Sequence, residues 1–184
     1  MGGMTDTENG STYNKPELAR RLLLFTLIGV HKLHSWTYSS LTLLLDHLST
    51  IPEEAYVKEL PGFGLSTLRA QVIHIFNCEG FWVHTLQAAQ FEDEDPTDWP
   101  TIPDARRLQY RVGANTLAYL SNLTDEQLNT GTELHFPDRD IAVRTPAFIL
   151  HHVLTHAFHH KGQIVSMCRT LGYPAPDTDL CRLE

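Results

Sequence analysis

The sequence lacks a hydrophobic run long enough to cross a membrane. Its best apolar stretch, residues 22–30, is nine residues long, whereas a membrane-spanning helix needs about 20. Arg20 and Arg21 precede this stretch, as basic residues do in a signal peptide, but no small-residue cleavage site follows it. We therefore expect a core helix at this position, in a cytoplasmic protein that does not bind membranes.

Cysteine and basic residues are also scarce. The three cysteines, Cys78, Cys168 and Cys181, are odd in number and show no C-x-x-C spacing, so we expect reduced thiols. Lys and Arg number 14 against 22 Asp and Glu, which gives a formal net charge of -8. Nucleic-acid binding depends on clustered basic side chains, so this balance argues against a nucleic-acid partner. The motifs G-x-S-x-G, the phosphate loop and the dinucleotide fingerprint are absent as well.

The length of 184 residues suits a single domain. Residues 1–14 are polar and rich in glycine, which predicts a disordered leader. Residues 15–184 then form the domain. The densest acidic run, residues 91–98, is interpreted as a solvated loop.

Four segments carry the apolar spacing of amphipathic helices. Pro16 and Pro146 suit first helical turns, and Gly172 suits the end of the last helix. The predicted helices cover residues 16–48, as one long helix or two joined ones, 66–90, 104–123 and 146–171. Between the last two, "TELHF" and "IAVRT" flank "PDRD" and predict a small β-hairpin. The fold class is therefore all-α, a four-helix bundle with a hairpin between helices 3 and 4.

Five of the eleven histidines lie within residues 151–163 of the fourth helix. The seam that this helix turns toward the core has a 4-3-4-3-4 spacing and consists of Ile149, Val153, His156, His160, Gln163 and Met167. His156 and His160 are one turn apart, so they can point at one centre as paired histidines do in metal sites. A histidine on an apolar face can instead be a hydrogen-bonded core residue, and this alternative stays open.

A metal site in a bundle needs a third ligand from another helix, and His74 on the second helix is the candidate. Three buried imidazoles would repel one another if protonated, and a divalent cation would relieve both the repulsion and the lack of partners. Cys78 could replace or join His74, and His152 could flank the site. Glu79 is either an acceptor for an imidazole N–H or a surface or interface residue.

The other histidines are interpreted as lying away from the metal site. We expect ordinary surface or boundary positions for His31, His34, His47, His84 and His135, and other faces of the fourth helix for His151 and His159.

Two segments resemble the DinB-like family of metal-binding bundles. The fourth helix has its H-x3-H motif followed by a basic residue and Gly-Gln, here at His156, His160 and 161–163, and the tail "APDTDL" follows. The second helix has the family's His, acidic residue and Trp at His74, Glu79 and Trp82. The resemblance extends over about residues 16–180.

This resemblance implies an up-down-down-up bundle, one divalent ion on His74, His156 and His160, and a homodimer. The family is named for induction by DNA damage, which indicates a stress response rather than DNA binding. Some members use low-molecular-weight thiols such as bacillithiol or mycothiol. We therefore expect a metal-dependent enzyme, a thiol transferase or hydrolase acting on a small molecule. The alternative is a non-catalytic, metal-stabilised bundle with a binding or oligomerisation role.

The type of ligand indicates which metal to expect. Zinc or nickel suits imidazole nitrogen, and three neutral ligands leave an ion with open coordination positions. An acid or base near the ion would favour the enzyme, and the sequence offers Tyr38, Asp46 and Tyr110 for this role.

Overall fold

The computed structural model describes residues 25–136 and 139–182. Within them are four long helices and a single antiparallel hairpin. The elements are α1 (Leu27–Leu48), α2 (Glu53–Tyr56), α3 (Leu68–Leu86), α4 (Ile102–Ser121), α5 (Asp125–Asn129), β1 (Thr132–Phe136), β2 (Arg139–Arg144) and α6 (Pro146–Thr170). Short 3-10 turns occupy Pro96–Asp98 and Leu180–Arg182.

Each long helix begins directly after a threonine. The side-chain oxygen of this residue accepts a hydrogen bond from a backbone N–H of the first turn, which has no partner inside the helix. These N-cap residues are Thr26, Thr67, Thr101 and Thr145. Four separate start signals in the sequence therefore set where the four bundle helices begin.

The helix ends differ from the predicted ones at three places. The backbone is extended at Thr26, so a single helix over residues 16–48 is wrong, and the leader 1–14 lies outside the described residues. The second bundle helix ends at Leu86 instead of residue 90, because Ala88 has a φ of 53° that a helix does not allow. The third, Ile102–Ser121, lies two residues earlier than predicted. Helix α6 ends at Thr170, before Gly172 with a φ of 86°, as expected.

Contacts between the helices define their directions. Gln71 contacts Gln163 and Trp82 contacts His152, so α3 and α6 run in opposite directions. Asp46 pairs with Arg106, and Tyr38 lies against Gly113, so α1 and α4 are also antiparallel.

Helix α1 runs antiparallel to α3 and parallel to α6, as the members of the two buried apolar clusters show. The bundle is therefore up-down-down-up, with α3–α6 and α1–α4 as opposite edges, and the predicted fold class is confirmed. None of the described helices has the length and apolar character needed to cross a membrane.

The predicted hairpin is present. Strand β1 pairs with β2 in register Thr132↔Arg144 and Leu134↔Ala142. Leu134 is buried and joins the apolar core near α3 and α6. The hairpin therefore closes one end of the bundle, although the two residues of its turn, 137 and 138, lie outside the described part.

A polar layer separates two apolar clusters in the bundle. The first cluster contains the side chains of Leu44, Phe76, Leu108 and Met167 among others. The second contains those of Val30, Val83, Leu120 and Ile149 among others. The polar layer consists of buried His34, Glu79 and Thr116, which come from α1, α3 and α4.

The centre of this layer is the carboxylate of Glu79, which is only 3% exposed. Its Oε1 atom accepts hydrogen bonds from His34 Nε2 at 2.9 Å and Thr116 Oγ1 at 2.6 Å. Its Oε2 atom accepts one from the Tyr38 hydroxyl at 3.0 Å. Burial and this carboxylate raise the pKa of Tyr38 well above its ordinary value. A buried carboxylate is stable only with such partners, so Glu79 fixes the register of three helices.

A second buried charge holds the segment that follows α6. Lys161 is 7% exposed, and its Nζ atom donates to Ser40 Oγ at 2.8 Å and to the carbonyl of Thr178 at 2.7 Å. Ser40 Oγ also donates to that carbonyl, at 3.0 Å. The segment around Thr178 is therefore part of the bundle.

We predict that Glu79→Gln lowers the free energy of unfolding by about 3 kcal/mol. An amide has one acceptor oxygen in place of two, and its NH2 group would face hydroxyl or imidazole donors. Urea unfolding followed by circular dichroism measures the change. The control Glu133→Gln alters an exposed glutamate and should leave stability within about 0.5 kcal/mol. Equal stabilities for the two variants would contradict this account of the polar layer.

Candidate metal centre

Three histidines from two helices converge on one point. His74 comes from α3, and His156 and His160 come from α6; one nitrogen from each lies within 4.8 Å of those from the other two. The ring centroids are 4.4 to 5.0 Å apart. Among the described residues, no other group of three or more His, Cys, Asp or Glu side chains is close enough to hold a metal ion. The structure thus brings together the three residues chosen from the sequence.

The spacing of the donor atoms fits a shared ion. The Nε2 atoms of His156 and His160 are 3.2 Å apart. Two imidazole nitrogens bound tetrahedrally at about 2.0–2.1 Å from one ion would be roughly 3.3 Å apart. The one-turn separation on α6 therefore holds this pair at a distance suited to binding a single ion.

A glutamine on α3 fixes the orientation of His160. Gln71 uses its amide NH2 group to donate to the Leu65 carbonyl at 2.9 Å and to Gln163 Oε1 at 2.8 Å. Its oxygen is then the atom that accepts from His160 Nδ1, at 2.6 Å. His160 consequently carries its proton on Nδ1 and turns the lone pair of Nε2 toward the other two histidines, as second-sphere partners do in metal sites.

The surroundings keep these imidazoles uncharged. Burial, followed by repulsion from the neighbouring histidines, lowers the pKa of His156 and His160 to about 4. Burial also lowers the pKa of His74, against a smaller opposite effect of Asp93. At neutral pH all three rings are therefore in the form that binds metal. The Nδ1 atom of His156 is buried without a hydrogen-bond partner.

Two of the residues expected near the site have other roles. Glu79 accepts an imidazole N–H, but the donor is His34, which is 4% exposed. The interpretation of His34 as an ordinary surface or boundary residue is therefore wrong. Cys78 is half-buried and outside the histidine group, and burial raises the pKa of its thiol to about 12.

The remaining histidines lie where the sequence pattern indicated. His152 is exposed and flanks the site, with its ring 5.8 Å from that of His156. The side chains of His31, His47, His84 and His135 are half-buried or exposed. His151 and His159 are also exposed on α6.

The acid and base candidates do not reach the histidine group. Asp46 pairs with Arg106 between α1 and α4, and Tyr38 donates to Glu79. Tyr110 is 79% exposed on α4. Tyr38 and Tyr110 line one groove between α1 and α4, so all three residues lie on the α1–α4 edge of the bundle, opposite α3–α6.

The acidic segment 91–98 has a more definite position than the solvated loop that we expected. The Asn77 amide exchanges two hydrogen bonds with the backbone of Glu94, at 2.9 and 3.0 Å. Phe91 packs on Gly80, where an added Cβ would be 2.6 Å from the ring. The segment thereby brings Asp93 to a cavity of about 390 Å³ that His74 also lines. No spacing in the sequence pairs Asp93 with His74, so the segment's place beside the histidine group was missed.

Comparison with known proteins identifies the family. A sequence model of the DinB family matches residues 26–184, a range that includes His74, His156 and His160. The chain belongs to the DinB family. The resemblance inferred from the histidine motifs is thus confirmed.

Several DinB relatives are similar over most of the chain. Protein DinB of Bacillus subtilis (strain 168) is 22% identical over 156 residues, covering 80% of this chain and 89% of the relative. The crystal structure of a DinB-like protein from Bacillus cereus ATCC 10987 has a TM-score of 0.60 at 23% identity and covers 83% of this chain and 97% of that chain. A DinB-like protein from Bacillus subtilis has a TM-score of 0.56 at 21% identity, with coverages of 80% and 98%. These two likenesses establish the fold.

We predict that the metal-free protein loses stability as the pH falls from about 6.5 toward 4. In the unfolded chain the three histidines bind protons near pH 6.5, whereas His156 and His160 in the folded chain bind them only near pH 4. The unfolded state therefore holds more protons in this window, and acidification favours it. Urea unfolding after chelation, repeated across this pH range, measures the slope.

Two variants isolate this effect from the titration of carboxylates. The double variant His156→Gln, His160→Gln should have a shallower slope than the native chain. The control His135→Gln changes an exposed histidine and should leave the slope unchanged. If the double variant keeps the native slope, the buried imidazoles do not cause the pH dependence.

We also predict that Gln71→Leu weakens metal binding by about 10- to 100-fold. The variant removes the acceptor for His160 Nδ1, so the ring is no longer held with its Nε2 lone pair directed at the site. Competition with a chromophoric chelator measures the affinity. The control Gln109→Leu changes another buried glutamine, which lies on α4, and should bind metal as the native chain does. Native affinity in the Gln71 variant would refute the positioning role.

Proposed function

We propose that this DinB-family protein binds one divalent metal ion, zinc or nickel, through His74, His156 and His160. The convergence of three uncharged imidazoles in a half-buried site carries the proposal. Imidazole suits both metals, and the choice between them also depends on their availability.

We further propose that the ion serves a metal-dependent enzyme, a thiol transferase or hydrolase acting on a small molecule. Among the described residues, no Cys, Asp or Glu side chain joins the three histidines. Three protein ligands with room for a fourth are typical of catalytic rather than structural sites. When bound, a divalent ion supplies Lewis-acid chemistry, such as favouring the thiolate form of a thiol ligand.

The residues around the histidines would shape access for such a substrate. Gln71 holds the His160 ring in place. On α6, His152 packs edge-on to Trp82, with ring centroids 5.5 Å apart. Asp93 and the half-buried Asn77 line the cavity beside His74. Asn77 and Asp93 can therefore contact a small molecule that reaches His74 from this cavity.

Other parts of the proposal follow from the family and from the charge balance. We propose a cytoplasmic homodimer connected with a stress response, with no affinity for nucleic acid. The names of the relatives state no substrate, so the thiol is a proposal for this chain. If the ion is structural instead, the protein is a metal-stabilised bundle with a binding or oligomerisation role. Binding of a thiol to the ion separates the enzyme from this alternative.

We predict that replacing His74, His156 or His160 with Ala each abolishes stoichiometric metal binding. Each change removes one of three ligands, and two imidazoles do not retain an ion through purification. Elemental analysis of the purified variants measures the metal content. The controls His159→Ala and His84→Ala alter histidines outside the group and should keep the native content. One ion per chain in His156→Ala would show that the ligand set is wrong.

We predict that a small thiol binds the ion directly. In protein loaded with cobalt, an added cysteine-containing thiol should produce a sulfur-to-cobalt charge-transfer band. Binding should strengthen as the pH rises toward the thiol's pKa, because a divalent ion favours thiolate. Visible absorption spectroscopy measures both effects.

The variant Cys78→Ser is the control for this experiment. It must retain the band, because a cysteine ligand from the chain itself would produce a similar one. A cobalt spectrum that responds neither to thiols nor to other small anions would mean a closed site. Metal removal would then mainly lower the unfolding temperature, as expected for a ligand that binds only the folded state.

A further inference from the structure

A second groove lies on the edge of the bundle opposite the metal centre. It runs between α1 and α4 and encloses about 670 Å³, within the range of roughly 300–1,000 Å³ that is typical of small-molecule sites. Leu43, Tyr110 and Leu117 line it and are 38%, 79% and 43% exposed. The α3–α6 pair carries the three metal-site histidines, so the groove is separate from them.

The floor of the groove contains two stacked rings. The rings of His34 and Tyr38 have centroids 4.2 Å apart, and both residues line the groove. Tyr38 lies so close to Gly113 that a Cβ there would be 2.5 Å from Tyr38 Cε1. The glycine on α4 therefore leaves the space that the tyrosine ring occupies, and a larger residue would displace the ring from the floor.

His34, which lines this floor, has an unused hydrogen-bonding atom. Its Nε2 atom faces the Glu79 carboxylate at 2.9 Å. A carboxylate only accepts hydrogen bonds, so the histidine N–H is on Nε2. The other ring nitrogen, Nδ1, has no hydrogen-bond partner among the described residues, and in the neutral ring it is an acceptor. A side chain that is 4% exposed thus offers a lone pair beside an apolar groove.

We propose that this groove is a second binding site, for a small neutral aromatic molecule that carries a hydroxyl group. The aromatic part packs against Tyr110 and Leu117, and the hydroxyl donates to His34 Nδ1. The groove lining contains no Asp, Glu, Lys or Arg among the described residues, which favours an uncharged ligand. Phenols have this combination of a flat apolar body and one donor.

The experiment uses 2-naphthol as the probe, with naphthalene as its match without a donor. Isothermal titration calorimetry should show 2-naphthol binding about threefold to tenfold more tightly, the ratio expected for one hydrogen bond. Leu117→Arg places a charged side chain in the groove and should weaken binding by at least about tenfold. Leu43→Arg is the second variant if the first does not fold. The control Ile28→Arg changes an 84% exposed residue of α1 outside the groove and should bind as the native chain does.

Binding should be unchanged after chelation and in His156→Ala, so failure of the metal proposal would not affect this one. Three results would overturn it: no saturable binding, equal affinity for the two probes, or equal weakening by Ile28→Arg and Leu117→Arg. A fourth such result would be that the native chain is a dimer and does not bind 2-naphthol, and that Leu117→Arg converts this dimer to a monomer. In that case a second copy of the chain covers the groove.

Discussion

The buried carboxylate of Glu79 needs three hydrogen-bond donors, and α1 and α4 must stay in one register against α3 to supply them. This requirement also places the candidate metal centre. His74 and Glu79 are five residues apart on α3, which separates them by about 140° around the helix. With Glu79 directed toward α1 and α4, His74 is directed toward α6, where His156 and His160 lie one turn apart.

The same helix also prepares the ring of His160. Gln71 lies three residues before His74, close to the same face of α3, and its oxygen accepts from His160 Nδ1. Helix α3 therefore provides one candidate ligand and the residue that orients another. The apolar clusters on either side of the polar layer pack side chains of α3 against those of α6. A metal ion that binds these residues only in the folded chain would add its binding free energy to the stability of the fold.

The parts of the structure that depend on local sequence could be predicted, and those that depend on distant pairs could not. Pro146 and Gly172 mark the two ends of α6, and the seam spacing of α6 selected His156 and His160. His34 was misjudged because its partner Glu79 is 45 positions away, and no periodicity in α1 reveals a carboxylate on another helix. Residues 87–90 are good helix formers, yet α3 stops at Leu86 because Phe91 packs back on Gly80. The groove between α1 and α4 depends on the fit of Tyr38 against Gly113, which is a tertiary property.

The buried hydrogen bonds of Lys161 affect the order in which the domain can fold during synthesis. Its ammonium group is buried on α6, but one of its two acceptors is the carbonyl of Thr178, which the ribosome adds 17 residues later. Until that carbonyl arrives, only Ser40 Oγ of these two acceptors is present, so burying the ammonium group is less favourable. The last bundle helix is therefore expected to dock fully only after the segment beyond Gly172 has emerged, although the histidines of α6 are translated before it.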